Sequence, residues 1–396
     1  MKILVINAGS SSIKYQLFEM PAEKVIARGL LEKIGEETSK LTHSYDSKVH
    51  KTKAKAADHL AGMKIILDTL TDPQIGVIKD ISEISAVGHR VVHGGEAFTD
   101  SVVINQKVID SIEKFADLAP LHNPPNLTGI RAAQKDLPNA IQVACFDTAF
   151  HTTIPKVAYI YALPYDIYEK FRVRRYGFHG TSHKYVARRC AAIMGRDKYD
   201  INVITCHLGN GCSITAVKAG KSIDTSMGLT PLEGLVMGTR SGDFDPAILF
   251  YLAEKGYSVE QLNNMCNKQS GLLGISGVSN DMRNLREQAQ AGNERAQLAF
   301  DIFCYRIKKY IGAYTAALGK LDAIVFTGGI GENAPDVRAQ CCNDLEQIGV
   351  SIDPAANVET NRVEGLITSA DSRVKVFVIP TNEELAIAQD TFALAK

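Results

Sequence analysis

The chain opens with two short apolar segments separated by a Gly/Ser turn. Lys2 to Ile6 has the pattern of a buried strand, and Ile13 to Phe18 alternates apolar and polar positions like a second strand. The same arrangement returns as Ile201 to Cys206, a glycine turn, and Ser213 to Val217. Because strand, glycine-rich turn and strand occur early in each half, the pattern indicates an internal duplication.

Later in each half, strand and helix patterns alternate, which is typical of an α/β fold. Further strands are predicted at Ala86 to Val91, Ile141 to Cys145, Ala323 to Thr327 and Lys375 to Ile379. Helices are predicted at Ala56 to Leu70, Gln106 to Phe115, Leu127 to Gln134, Ser182 to Met194, Asp245 to Glu254, Ala296 to Leu318 and Ala334 to Ile348. The stretch Thr225 to Asp245 is rich in Gly, Thr and Pro, and a loop of that length in a compact domain is usually functional.

Composition narrows the possible partners. The 396 residues are enough for two or three domains. Acidic and basic residues balance at 44 each, so no overall charge attracts nucleic acid or an anionic membrane. No apolar run reaches the roughly 18 residues of a membrane helix, and the first residues lack a signal-peptide pattern, so a cytoplasmic location is expected. The eight cysteines show no CxxC spacing and are predicted to be buried free thiols.

Two glycine turns are candidate phosphate sites. The first runs from Asn7 to Lys14 and offers backbone N–H groups, hydroxyls and a cation to an anion. The second, His207, Leu208, Gly209, Asn210 and Gly211, occupies the equivalent turn of the second half. A plain hairpin turn is the alternative for each. The occurrence of both favours a phosphate chain held between two domains.

A third glycine turn, Gly328 to Ala334, lies between a predicted strand and a predicted helix. Such a turn lets a nucleotide approach the backbone at a helix N-terminus. It also matches the dinucleotide pattern G-x-G-x-x-A, with Asp353 about 20 residues further on. The chain that remains is too short for a full dinucleotide-binding domain, so the dinucleotide interpretation is not favoured.

Four charged residues stand in settings that suit ligand binding. Arg90 and Arg240 each lie among glycines, and a guanidinium matches the geometry of phosphate or carboxylate. Asp147 follows a strand, where open α/β sheets place ligands, and Glu383 begins the last helical segment. The alternatives are surface ion pairs for the arginines and helix caps for the two acids.

His179 and His183 have the spacing of metal ligands on one helix face. However, Gly180 stands where a zinc protease motif has glutamate, and the sequence suggests no third ligand. Zinc is therefore not expected.

Taken together, these segments resemble the acetate kinase family. The motifs stand in the family's order and cover essentially the whole chain: INAGSSSIK, GHRVVHGG, LAPLHNPPN, FDTAFH, RYGFHGTSH, HLGNG, MGTRSGDFDP, GGIGEN and TNEE. Each motif is modest alone, but nine in register are specific.

The resemblance implies an α/β fold of two duplicated actin-like, ribonuclease H-like domains, with a nucleotide cleft between them, as in sugar kinases, actin and heat-shock chaperones. Residues 1–150 with the C-terminal helix 383–396 would form the first domain. Residues 151–382 would form the second, which binds nucleotide and dimerises. The implied reaction is ATP plus acetate giving ADP plus acetyl phosphate, with Mg²⁺ or with Mn²⁺ in its place. A homodimer is expected, with no nucleic acid or membrane partner.

The resemblance also implies roles for individual residues. Asn7 and Glu383 would hold the metal, and Arg90, Arg240, His179 and Asp147 would be catalytic. The acetate methyl group would lie against Val92, Leu121, Phe178 and Pro231, with Arg90 binding the carboxylate. ATP would contact Ser10, Ser12, Lys14, His207, Leu208, Gly209, Asn210, Gly211, Asp281, Met282, Arg283, Gly329, Ile330, Gly331, Glu332 and Asn333.

Three other functions remain open from the residues alone. A propionate or butyrate kinase of the same family differs only in the size of the acid. An NAD-dependent dehydrogenase and a non-enzymatic actin-like ATPase switch belong to other classes. The two arginine loops and the small apolar wall argue against both, and a switch needs no carboxylate clamp.

Overall fold

A computed structural model describes residues 1–120 and 122–396. Two compact units account for the chain. Unit 1 contains Met1–Thr152 and Asn382–Lys396, and unit 2 contains Thr153–Thr381.

Within residues 1–120 and 122–396, fourteen strands form two sheets, one in each unit. The strands of unit 1 are β1 (Lys2–Ala8), β2 (Ser12–Glu19), β3 (Lys24–Glu32), β4 (Ser39–Tyr45), β5 (Lys48–Ala54), β6 (Ile84–Val91), β7 (Val102–Val103) and β8 (Ile141–Phe146). Those of unit 2 are β9 (Asn202–Leu208), β10 (Cys212–Lys218), β11 (Lys221–Thr225), β12 (Ala323–Thr327), β13 (Gly365–Leu366) and β14 (Lys375–Val378).

The two sheets share one topology. Unit 1 has the order β5-β4-β3-β2-β1-β6-β8-β7, and unit 2 has the order β11-β10-β9-β12-β14-β13. In each, antiparallel strands lead to a central strand, β1 or β9, which begins a run of three parallel strands, and a short antiparallel strand closes the edge. Unit 1 adds only β4 and β5. The duplicated α/β fold predicted from the repeated turns is therefore confirmed.

The described residues also form fifteen α-helices. They are α1 (His59–Leu70), α2 (Gln106–Lys114), α3 (Asn123–Asp136), α4 (Lys156–Tyr159), α5 (Tyr165–Phe171), α6 (Gly180–Ile193), α7 (Ala247–Glu254), α8 (Val259–Lys268), α9 (Gly271–Ser276), α10 (Met282–Gln290), α11 (Glu294–Leu318), α12 (Gly328–Asn333), α13 (Pro335–Cys342), α14 (Pro354–Glu359) and α15 (Glu383–Leu394). Short 3₁₀ helices lie at Ile81–Glu83, Ala116–Leu118, Ala149–Thr153 and Glu346–Ile348.

The core of unit 1 explains why the sequence of β1 is a continuous apolar run. Leu4 and Ile6 pack into a cluster with residues of α1, whereas Ile3 and Val5 pack into a second cluster with residues of α15. Both faces of the strand are buried, so its sequence cannot alternate. The strand is thereby fixed at the centre of the sheet, with its last residues at the edge that carries the first glycine turn.

One predicted helix is shorter in the structure than its sequence pattern suggests. The helix predicted from Ala334 to Ile348 is broken, since α13 ends at Cys342 and only a 3₁₀ turn follows. All eight cysteines are buried, as predicted. Within residues 1–120 and 122–396, no helix combines the length and apolar character needed to cross a membrane.

Candidate active site

Arg90 and Asp147 form a bidentate ion pair in unit 1. β6 and β8 run parallel, with Arg90 beside Cys145, so the residue just beyond β8 reaches the arginine. Arg90 donates from Nη2 to Asp147 Oδ2 at 2.6 Å and from Nε to Oδ1 at 3.2 Å. Asp147 is only 2% exposed. Its charge is the main reason that the pKa of Arg90 is raised. The pair fixes the guanidinium in one plane.

Two further carboxylates lie near this pair. Glu383, at the start of α15, has Oε2 4.0 Å from Arg90 Nε. Glu384 forms an ion pair with Lys14. Burial raises the pKa of Glu383, and the charges of Asp147 and Glu384 raise it further. Three carboxylates therefore face two cationic side chains, an excess of oxygen ligands and negative charge that suits a hard divalent cation.

The first glycine turn lies beside these acids. Gly9 donates its N–H to the carbonyl of Ser12 at 2.8 Å, and Ser10 is exposed at the tip. Asn7 and Lys14 are cross-strand neighbours. No group of three or more His, Cys, Asp or Glu among residues 1–120 and 122–396 could hold a metal ion by itself. A metal here would take one or two protein ligands, as Mg²⁺ does when phosphates supply the rest.

The residues predicted to wall the methyl group divide between the units. Val92 is buried in unit 1, where its N–H donates to Asn126 Oδ1 at 3.1 Å. Phe178 is buried in unit 2, and Pro231 is half-buried there. Leu121 lies outside the described residues.

His179 has an unusual backbone conformation at the start of α6. Its φ of 55° lies in the left-handed region, where non-glycine residues are uncommon and cost about 1–3 kcal/mol. Its ring stacks on that of His207, with centroids 4.2 Å apart, and its Nδ1 lies 2.9 Å from Ser213 Oγ. Such strain persists only where the surroundings impose it, which marks His179 as a candidate functional residue.

Arg240 converges with His179 on the second glycine turn. A methyl group at Gly211 would lie 3.4 Å from Arg240 Nη1 and 3.8 Å from His179 Nε2. The guanidinium donates to the carbonyl of Pro231 at 3.2 Å. No carboxylate among the described residues lies within 4.0 Å of it, and burial lowers its pKa. A partly buried cation without a carboxylate partner is a ready anion receptor.

The loop that carries Arg240 is closed into a ring by two hydrogen bonds between Gly234 and Asp243. Gly234 donates its N–H to Asp243 Oδ1 at 2.7 Å, and the N–H of Asp243 donates back to the carbonyl of Gly234 at 2.9 Å. From α11, Tyr310 donates to Asp243 Oδ2 at 2.6 Å, and Arg306 donates to the carbonyls of Gly234 and Asp243. These contacts hold a long segment of irregular backbone in place.

A cavity of about 440 Å³ in unit 2 brings together much of the predicted ATP site. Predicted residues in its lining are Gly209, Asn210, Asp281, Met282, Arg283, Gly329, Ile330 and Asn333. Sequence reasoning missed Asn280, Arg286, Ala334 and Arg362. Asn280 adjoins Asp281 and Ala334 ends the third glycine turn, so adjacency was the available signal. Arg286 and Arg362 stood out by no pattern.

The third glycine turn is a short helix, α12, rather than an open loop. Gly328 has φ of 77°, and a methyl group there would lie 2.8 Å from the carbonyl oxygen of Leu208. Glu332, predicted to contact ATP, turns its carboxylate inward, where Oε1 accepts from the N–H groups of Gly328 at 2.9 Å and Thr381 at 3.2 Å. Its observed contacts thus stabilise the turn.

Arg338 also stabilises this turn, and no sequence pattern singled it out. The side chain is fully buried, and its guanidinium donates to the carbonyls of Gly331 at 2.9 Å and Thr360 at 2.9 Å. It also contacts Asn357 through two nitrogens. Burial lowers its pKa to about 10, so it remains charged near neutral pH.

The predicted site residues thus gather into two sets, one in each unit. Unit 1 holds Asn7, Ser10, Ser12, Lys14, Arg90, Val92, Asp147 and Glu383. Unit 2 holds Phe178, His179, the turn from His207 to Gly211, Pro231, Arg240 and the residues of the nucleotide cavity.

Comparison with known proteins gives one consistent result. The sequence pattern described as the Acetokinase family matches residues 2–389. An acetate kinase of Pseudothermotoga lettingae is 57% identical over 392 residues, which is 99% of this chain and 96% of the relative. The crystal structure of Porphyromonas gingivalis acetate kinase superposes with a TM-score of 0.97 at 48% identity, covering all of both chains. A propionate kinase from Francisella tularensis superposes with a TM-score of 0.92 at 46% identity, covering 99% of each chain. The chain therefore belongs to the acetokinase family.

Proposed function

We propose that this protein transfers the terminal phosphoryl group of ATP to acetate, reversibly, to give ADP and acetyl phosphate. The observation that carries the proposal is the Arg240 guanidinium, which is partly buried, has no carboxylate within 4.0 Å among the described residues, and converges with His179 on Gly211. The family membership and the names of the close relatives support acetate as the acceptor.

Nucleotide binding is assigned to the cavity of unit 2. The adenosine lies against Asp281 to Arg283 and Gly329 to Asn333, and the phosphate chain follows the turn from His207 to Gly211. Ser10, Ser12 and Lys14 of the first glycine turn contact the terminal phosphates. Backbone N–H groups of glycine turns and one lysine are a recurrent way to bind phosphate.

Acetate binding is assigned to Arg90, with Asp147 holding the guanidinium in position. Nε and Nη2 of Arg90 are engaged by Asp147, which directs the remaining Nη1 toward a carboxylate. Val92, Leu121, Phe178 and Pro231 enclose the methyl group. Because acetate is already ionised near pH 7, no general base is required for attack on phosphorus.

The chain's own residues then stabilise charge during transfer. An acetate oxygen bonds to the γ-phosphorus while the bond to the β,γ-bridging oxygen breaks. Arg240 and the Nε2 side of His179 donate to the equatorial oxygens. Phosphoryl transfer depends mainly on such positioning and charge stabilisation, and a single arginine is worth roughly 10³ to 10⁵ in rate in other enzymes.

A divalent cation fits the carboxylate-rich region of unit 1. We assign Asn7 and Glu383 as the residues that would hold Mg²⁺, or Mn²⁺ in its place. Glu383 lies where carboxylates outnumber cations, and Asn7 is the cross-strand neighbour of Lys14, which pairs with Glu384. When bound there, the ion would supply positive charge to neutralise the nucleotide phosphates.

A hydroxylamine trap for acyl phosphate tests the activity. The wild-type protein with ATP, Mg²⁺ and acetate is expected to form acetohydroxamate at a rate proportional to enzyme. Propionate replaces acetate in a parallel series, because a propionate kinase is among the structural relatives. A higher kcat/KM for propionate would transfer the assignment to that acid. Nucleotide binding without any hydroxamate would contradict the proposal.

We also assign the two compact units as the two domains of the family, with unit 2 as the dimerising one. α7 has the sequence AILFYLAE, yet none of its residues is buried, and Phe250 is 71% exposed. A second copy covering this helix would remove the apolar surface from water. Light scattering should give a dimer mass, and Phe250→Asp should give a monomer. A wild-type monomer at micromolar concentration would contradict the assignment.

A further inference from the structure

Behind His179 lies a chain of buried imidazole and hydroxyl groups. Ser213 Oγ lies 2.9 Å from His179 Nδ1 and 2.7 Å from Nε2 of a second histidine, His183. Nδ1 of His183 lies 2.7 Å from Thr205 Oγ1. Ser213, His183 and Thr205 are all fully buried. The chain therefore connects the interior of unit 2 to the ring that faces Gly211.

Each hydroxyl in this hydrogen-bonded series has one proton, so the donor and acceptor roles of neighbouring groups depend on one another. A serine hydroxyl has one proton, so Ser213 cannot donate to both histidines. If it donates to His179 Nδ1, it accepts from His183 Nε2–H. If it donates to His183, it accepts from His179 Nδ1–H. Both ring nitrogens of His183 contact hydroxyls in a fully buried position, which favours the neutral imidazole with one N–H.

The hydroxyl of Thr205 determines the direction of hydrogen-bond donation along this series. Among the described residues, His183 is the one hydrogen-bond partner recorded for the Thr205 hydroxyl. If Thr205 donates to His183 Nδ1, its single proton is paired. In the reverse direction that proton would be buried without an acceptor, which disfavours the reverse arrangement by roughly 5- to 150-fold. The favoured direction runs from Thr205 through His183 and Ser213 to His179.

We propose that Thr205, His183 and Ser213 form a positioning relay in which Ser213 donates to His179 Nδ1 and accepts no hydrogen bond from it. His179 is thereby held as the neutral tautomer with hydrogen on Nε2. The inference deepens the proposed function, since that N–H is the one assigned to the phosphoryl group. Nδ1 of His179 is engaged as an acceptor, so the Nε2 side, 3.8 Å from a methyl at Gly211, carries the donor.

The neutral form also suits the charge of the site. Arg240 Nη1 reaches the same point of Gly211 and supplies a permanent positive charge. A second cation on His179 would be repelled by it, whereas a neutral donor adds a hydrogen bond without that cost. The relay thus provides a directional donor that does not depend on capture of a proton from solvent.

The tautomer can be read directly by NMR of ¹⁵N-histidine-labelled wild-type protein, free and with a non-hydrolysable ATP analogue. The His179 signals are identified by their loss in His179→Asn. The relay predicts a neutral ring with hydrogen on Nε2 at about pH 7. A neutral ring with hydrogen on Nδ1, or a doubly protonated ring, would overturn it. This spectrum requires no activity, so it fails or succeeds independently of the hydroxylamine trap.

Variants test whether the relay, rather than the ring alone, is responsible. Ser213→Ala should mix the His179 tautomers and lower kcat by about 10- to 100-fold, with the KM for ATP unchanged within about twofold. Ser213→Thr keeps the hydroxyl and should restore a single tautomer. Thr215→Val is the matched control, because Thr215 is buried two residues along β10 and its hydroxyl contacts Thr225 instead. Wild-type kcat and an unchanged tautomer in Ser213→Ala would contradict the relay. If that variant does not fold, the wild-type spectrum alone decides.

Discussion

Removing the Tyr310 hydroxyl should slow turnover without weakening ATP binding. Tyr310 donates at 2.6 Å to Asp243, the residue that closes the ring of the Arg240 loop. Burial raises the pKa of Tyr310, so the phenol stays protonated and remains a donor at all working pH values. Tyr310→Phe keeps the ring and its packing, and deletes one hydrogen bond to a carboxylate.

The size of the effect follows from that bond. A hydrogen bond to a charged group contributes about 1.5–3 kcal/mol. The Asp243 side chain is 39% exposed, so water can replace part of this donor. The remaining cost, about 1–2 kcal/mol, corresponds to a roughly 5- to 30-fold lower equilibrium constant between the ordered and the disordered loop. We therefore expect kcat to fall by up to roughly that factor.

The assay is hydroxamate formation at saturating acetate and ATP, with KM for ATP measured in parallel. KM should change little, because neither Tyr310 nor Asp243 lines the nucleotide cavity. Tyr305→Phe is the control, since Tyr305 lies on the same helix and is 64% exposed. A kcat within twofold of wild type, or an equal loss in the control, would refute the idea that this contact orders the loop.

Three further changes test other parts of the site. Asp147→Asn should lower kcat/KM for acetate by at least about 10²-fold, because Arg90 loses its charged partner; unchanged acetate kinetics would contradict the pairing. Val92→Ala should raise kcat/KM for propionate relative to acetate by roughly 10-fold, and an unchanged ratio would remove Val92 from the acid pocket. The pKa of buried His89, which bonds to Gln142, is lowered by burial to about 4. The unfolded state, with a His pKa near 6.5, thus binds more protons between about pH 6.5 and 4, and unfolding free energy should fall by up to about 3 kcal/mol as pH drops through that window. Urea titrations at several pH values should show a flatter profile in His89→Gln; an identical profile would contradict this.

The sequence was most informative where hydrophobic burial dictates the residues. The central strands of both sheets are buried on both faces, and their apolar runs were located within two residues of the observed bounds. The hairpin of β4 and β5 was missed. β5, KVHKTKA, has no buried residue and only two half-buried ones, so no apolar pattern distinguishes it from a polar loop. Its strand conformation comes from pairing with β4.

The site was predictable by residue type but not by contact. Arg90 and Asp147 were recognisable as candidates, yet their pairing depends on β6 lying beside β8, which separates them by 57 positions in sequence. Arg338 and Tyr310 could not be recognised, because each lies within an ordinary helical pattern. Their importance comes only from the backbone groups and loops that the fold places beside them.

The most direct test of the central claim is turnover of Arg240→Ala, since this guanidinium is the anion receptor on which the mechanism depends. With acetate and ATP saturating, acetohydroxamate formation should fall by at least about 10³-fold, while circular dichroism and calorimetric ATP binding confirm an intact fold. Arg188→Ala, at an exposed position of α6, is the matched control and should retain wild-type turnover. Near-wild-type turnover in Arg240→Ala would contradict the account.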